Sequence, residues 1–100
     1  MDKRLTEVKE IFKADFGITE EDIWEYEDES GWSSIHFYSW VRVSLIIDND
    51  RLTLSFYSDA EPGHAAGCIR ILYIHGITDF DICENIYPDF QDGECKGMLF

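Results

Sequence analysis

Two period-two runs flank Asp48-Asn49-Asp50, and they restrict the fold of this 100-residue chain more than any other stretch. Arg42-Val43-Ser44-Leu45-Ile46-Ile47 leads into the break, and Arg51-Leu52-Thr53-Leu54-Ser55-Phe56-Tyr57 leaves it. Alternating apolar residues across a short polar break are the mark of a β-hairpin. Val41, Val43, Leu45 and Ile47 share one side of the incoming strand, and Leu52, Leu54 and Phe56 share one side of the outgoing strand. Pairing them across a turn of two or three residues makes a continuous apolar sheet surface, which helices must cover. The expected class is therefore α+β. An antiparallel sheet of three to five strands is built on the hairpin at residues 41–57, packed by an N-terminal helix and a helix near residues 78–87.

Residues 2–16 read as an amphipathic helix, because Leu5, Val8, Phe12 and Phe16 recur at spacings of three and four, with Ile11 widening the stripe. Gly17 suits the left-handed stop after the last turn, and Ile18 the apolar contact that follows it. Thr19 is then placed to cap a short second helix through Glu20, Glu21 and Asp22, although alternation beginning at Trp24 equally suits an extended segment. Ser30-Gly31 marks a turn. Residues 32–47 are strand-like throughout, but at about 3.3 Å per residue one such strand would outrun a small domain, so a break is expected near Ser39-Trp40. Residues 58–67 have loop composition, and residues 68–75, apolar on both sides apart from Arg70, read as a central strand.

Gly76-Ile77-Thr78-Asp79-Phe80-Asp81-Ile82-Cys83-Glu84 repeats Gly17-Ile18-Thr19-Glu20-Glu21-Asp22-Ile23-Trp24-Glu25 at six of nine positions. Both copies read as a helix stop followed by a capped, acid-tipped helix start. Pro88 ends the second of these helices, and the tail closes on Met98-Leu99-Phe100.

The formal charge of −13 disfavours direct binding to nucleic acid or an anionic membrane and favours a basic partner. Residues 20–29 hold seven carboxylates and no cation. A second cation-free run, residues 71–95, carries Asp79, Asp81 and Glu84. Residues 1–7 lack the apolar core of a leader peptide, and no window approaches the roughly 18 apolar residues of a membrane span. Three cysteines, Cys68, Cys83 and Cys95, without paired metal spacing suggest free thiols in a reducing, cytoplasmic setting. The chain is expected to form one domain.

Motifs for chemistry are sparse. Pro88-Asp89 with Glu94-Cys95-Lys96 spells a nuclease-like pattern, but its halves are too close together for acids that normally sit on neighbouring strands. His36, His64 and His75 form no paired spacing with the cysteines, so no metal or cofactor is expected. Acidic surroundings would raise rather than lower a thiol pKa, which disfavours a cysteine nucleophile. The stretch from Phe16 to Ile23, with the helix before it, resembles the first helix and loop of acyl carrier proteins over about a fifth of the chain. It departs from that family in lacking the Asp-Ser-Leu that carries phosphopantetheine, since Ser30 stands in Glu-Ser-Gly, and in its strand-rich middle.

His36, Tyr38, Trp40 and Arg42, with Tyr57 across the hairpin, make an aromatic second face, either a docking patch or a second core face under a helix. The resulting expectation is a small, acidic, non-enzymatic inhibitor that presents carboxylates to a basic nucleic-acid-handling protein or complex. Its contacts are Glu20, Glu21, Asp22, Glu25, Glu27, Asp28 and Glu29, with Asp79, Asp81 and Glu84 as a second cluster and Tyr38, Trp40 and Tyr57 as an aromatic patch. In composition the chain is similar to small phage anti-defence proteins that block CRISPR or restriction machinery by mimicking nucleic acid. The alternative is an immunity protein or antitoxin that neutralises a cationic nuclease toxin.

Overall fold

The structure, a computed structural model, describes residues 2–57 and 59–84. In chain order it has α1 (Lys3–Phe16), a single 3-10 turn (Glu20–Asp22), β1 (Ile23–Glu27), β2 (Ser33–Tyr38), β3 (Arg42–Asp48), β4 (Arg51–Phe56), α2 (Pro62–Ile74) and β5 (Asp81–Glu84). The class is α+β, with a mixed sheet in the order β1-β2-β3-β4-β5.

The hairpin forms where the alternation places it. Val43 pairs with Phe56, Leu45 with Leu54 and Asp48 with Arg51. Asn49 and Asp50 take φ of 51° and 65°, the left-handed pair that a two-residue turn needs to match the strand twist. Arg4 at the start of α1 holds this turn, donating to Asp50 O at 2.9 Å and to Asp50 Oδ1 at 2.8 Å. The expected break at Ser39-Trp40 is the turn between β2 and β3.

α1 is stopped by Gly17 at φ 67° and capped by the Asp2 carboxylate, which accepts from Arg4 N at 2.8 Å. Its buried stripe, Leu5, Val8 and Phe12, joins the α2 residues Ala65, Cys68 and Leu72 in one core with Ile35, Phe37, Val43, Leu45, Leu52, Leu54 and Phe56. Phe12 meets Phe37 edge-on, with ring centroids 5.4 Å apart, and Phe16 in a tilted contact at 5.2 Å. Both helices thus lie on one side of the sheet, and the described residues form two layers.

Three expectations about the secondary structure and sheet are corrected. Residues 58–67 and 68–75, read as a loop and a central strand, supply a single helix, α2. Pro62 sits in its first turn, where no backbone donor is lost, and Ala65, Cys68 and Leu72 fall on one helical side. The helix expected near residues 78–87 is absent over its described part, because Asp81–Glu84 is strand β5; residues 85–87 lie outside the described residues, as do Pro88, the 88–96 nuclease-like pattern and the tail. The sheet is also not wholly antiparallel. α2 is a crossover, so β5 pairs parallel to β4, with Leu54 opposite Ile82.

The repeated motif has one structural meaning at both sites. Each copy ends a helix on a left-handed glycine, Gly17 at φ 67° and Gly76 at φ 82°, and delivers β1 or β5, the outer strands of the sheet among the described residues. At the second site Ile77 N donates to Leu72 O at 2.9 Å and Gly76 N to Tyr73 O at 3.0 Å, the double bond of a Schellman stop. Cys68 is a free, buried thiol, whereas Cys83 is disulfide-bonded, which corrects the expectation of three free thiols and removes the cysteine argument for a reducing compartment. No helix among the described residues is long and apolar enough to cross a membrane.

Candidate interaction surface on the open sheet face and the first strand edge

Period-two alternation sends every second residue of the sheet away from the helices. On that open side Trp24 and Tyr26 of β1 lie beside Ser34, His36 and Tyr38 of β2, then Ser44 and Ile46 of β3, then Ser55 of β4, with Tyr57 just beyond it. Trp24 and Tyr26 are 66% and 52% exposed, and Tyr38 is 45% exposed. Trp24, Tyr38 and Tyr57 form a row, with ring centroids 5.9 Å and 5.1 Å apart. Of the two sequence readings of this face, the helix-covered one fails among the described residues, since α1 and α2 both pack on the opposite side.

Trp40 does not join the row. The turn after Tyr38 carries it round to the helices, where its indole Nε1 donates to Phe16 O at 3.3 Å and its ring meets Phe16 and His64. Sequence reasoning placed it with Tyr38 by counting in twos through a turn, and it passed over Trp24 and Tyr26, whose only signal was the alternation starting at Trp24.

Beneath the row lies a hydroxyl network. His36 Nδ1 is 2.7 Å from Ser44 Oγ and 3.2 Å from Tyr57 Oη, its Nε2 is 3.0 Å from Ser34 Oγ, and Ser44 Oγ donates to Tyr57 Oη at 2.9 Å. Burial lowers the His36 pKa from 6.5 and raises that of the Tyr57 phenol. A histidine within reach of two serines could suggest a nucleophile and its base. Ser34 and Ser44 are buried, however, and among the described residues the groups that meet the imidazole are hydroxyls, with no carboxylate to orient it. The network satisfies polar atoms beneath the aromatic row. Among the described residues no group of three or more His, Cys, Asp or Glu side chains gathers to hold a metal.

The acidic residues divide. Glu20, Glu21 and Asp22 form the turn before β1, and Glu25 and Glu27 project from β1 on the helix side. Lys13 Nζ donates to Glu20 at 2.6 Å, and Lys9 Nζ donates to Glu25 at 2.8 Å and lies 3.4 Å from Glu20. The Lys13 hydrogen bond holds the Glu20 pKa below its usual value, and the Glu25 hydrogen bond raises that of Lys9. Asp28 accepts from Ser30 Oγ at 2.6 Å, Ser30 N at 3.0 Å and Trp32 N at 3.1 Å, so it serves the β1-β2 turn and its pKa is lowered. Glu27 accepts from Ser33 Oγ at 3.4 Å, and Glu29 is exposed in the same turn.

The second cluster sits at the other edge of the sheet. Arg51 grips Asp81 with Nε and Nη2 at 3.1 and 2.9 Å and reaches Asp79 with Nη1 at 3.0 Å, which lowers the Asp81 pKa. Glu84 ends β5 on the backbone opposite Phe56. The two clusters therefore do not share a surface. A comparison with known proteins finds no matching family, no matching curated protein and no matching solved structure.

Proposed function

We propose that the protein is a small, acidic, non-enzymatic inhibitor that binds a basic surface of a nucleic-acid-handling protein or complex. The observation that carries this reading is the meeting of the acidic 20–29 segment with exposed Trp24, Tyr26 and Tyr38 at one end of the sheet. Aromatic rings supply rigid area that anchors an interface, and a surrounding negative field steers a cationic partner and excludes anionic ones. Lys9 and Lys13 answer part of that charge, and Asp79 and Asp81 are held by Arg51 at the far edge. This argues for a compact acidic and aromatic patch rather than a long row of carboxylates copying a phosphate backbone. Anti-CRISPR or anti-restriction activity is the form of inhibition that fits a nucleic-acid-handling partner. The exposed aromatic row also suits the second reading, an immunity protein whose anchors enter a cationic nuclease toxin.

Capture from a bacterial lysate, eluted with salt and challenged with duplex DNA, tests the proposal. A basic nucleic-acid-binding protein should be retained at low salt and displaced by DNA, whereas a nuclease toxin alone would favour the immunity reading. Retention of nothing basic at low salt overturns both.

A further inference from the structure

β1 is the outer strand of the sheet among the described residues, and its backbone has a definite polarity. Asp28 N donates to Trp32 O at 3.0 Å, one step beyond the paired Glu27 and Ser33. In an antiparallel ladder, residues alternate between turning both backbone groups toward the partner strand and turning both away. Asp28, Tyr26 and Trp24 therefore face β2, and Glu25 turns its N–H and C=O outward. Side chains alternate as well. Trp24 and Tyr26 stand on the open side, and Glu25, with Glu27, stands on the side of α1.

We propose that this edge, centred on Glu25, takes an extended segment of the basic partner as an added strand, and that it recognises an alternation of cationic and apolar residues. This rests on the reading under Proposed function. An added strand would place every second side chain beside Glu25, whose carboxylate Lys9 already holds at 2.8 Å. Two lysines leave the seven-carboxylate segment in net negative charge, so Lys or Arg still gains complementarity there, and the other side chains lie beside Trp24 and Tyr26, where apolar groups gain area. A second copy of this chain is the wrong occupant. Antiparallel pairing of two β1 edges would bring like charges from residues 20–29 together, and like charges opposite one another oppose pairing.

The test uses the whole protein and synthetic peptides of about seven residues, a usual strand length. One alternates Lys with Val, one has the same composition with its lysines in a block, and one is the alternating peptide N-methylated along one edge. At about 20 mM ionic strength, where surface charge is little screened, the alternating peptide should bind in fluorescence anisotropy. The block and N-methylated peptides should bind about tenfold more weakly or worse, because one loses the side-chain match and the other its backbone donors. Glu25→Pro, which removes an outward N–H, should match the N-methyl loss, while Glu25→Gln keeps the backbone and should lose less. Equal binding by parent and N-methylated peptides overturns strand addition but leaves a charge-driven partner standing. Absence of binding by every peptide also overturns it, and the lysate capture then decides the broader reading separately.

Discussion

Phe37 and Tyr38 are neighbours on β2 that point to opposite sides of the sheet, so truncating each to alanine compares the two faces on one stretch of backbone. Phe37 is fully buried and meets Phe12 of α1 at 5.4 Å. Phe37→Ala removes a whole ring from the layer between sheet and helices and should cost about 3–5 kcal/mol, the range for Phe truncation in a packed core. Tyr38 is half exposed and meets Trp24 and Tyr57 at 5.9 and 5.1 Å. Ring pairs of this kind contribute about 0.5–1.5 kcal/mol when well packed, and exposure to water cuts that, so Tyr38→Ala should cost about 1 kcal/mol. A gap of at least about 2 kcal/mol separates the variants, which is about 8–16 °C in Tm for a domain of this size. Thermal melts followed by far-ultraviolet circular dichroism read the gap directly, and urea titrations give it as a shift in midpoint at constant slope. Should Tyr38→Ala melt as early as Phe37→Ala, the open side is a second core, and both the interaction surface and the strand-addition proposal lose their footing.

Because burial lowers the His36 pKa below 6.5, the unfolded chain takes up that proton first. The associated stability is complete above the unfolded value and falls as pH drops through it toward the folded value, so the urea midpoint of wild type should decline more than that of His36→Gln between about pH 7.5 and 5.5. Gly76→Ala and Gly67→Ala should move stability in opposite directions in the same titration. Among the described residues neither added Cβ meets an atom within 4 Å, so Gly76 at φ 82° loses about 1–2 kcal/mol to backbone strain, and Gly67 inside α2 gains about 1 kcal/mol in helix propensity. The Cys68 thiol, pushed up to about 12 by burial, should react with a disulfide reagent at the rate of unfolding rather than at the rate of a free thiol.

Much of this architecture was legible where period and punctuation agreed. The alternation around Asp48-Asn49-Asp50 defined the hairpin, and the spacing of Leu5, Val8 and Phe12 with the stop at Gly17 defined α1. α2 was hidden because Pro62, Gly63 and Gly67 carry loop chemistry, and a short apolar run suits a buried strand as well as a helix. Burial of Ala65, Cys68 and Leu72 overrides that weak local preference. β5 was misread because Thr78 followed by acids has the grammar of a helix start, whereas the actual signal was the stop before it. Of the candidate site, Tyr38 and Tyr57 were legible, Trp40 was lost to the turn at Ser39, and the Lys9–Glu25 pair depended on how α1 crosses the sheet, which no local pattern encodes.

The two copies of the repeated motif also explain why one edge and not the other is the better candidate for a cationic partner. Both deliver an outer strand with acids at its start, but the local counter-charge differs. At β5 a single arginine on the adjacent strand engages both Asp79 and Asp81, so the carboxylates there are tied to the sheet. At β1 the counter-charges come from α1, on the covered side of the sheet, and two lysines meet a segment of seven carboxylates. The surplus negative potential is left at the rim of the side where Trp24, Tyr26 and Tyr38 are exposed. Charge at a rim speeds encounter and weakens with salt, while rings at the centre set the lifetime of the complex. Charge reversal at Glu21 and Glu29, both outside the lysine pairs, should therefore slow association and flatten its salt dependence with little change in dissociation, and Trp24→Ala should do the reverse. Surface plasmon resonance against the captured partner separates the two rates. A Trp24→Ala variant with unchanged dissociation would remove the aromatic row from the interface.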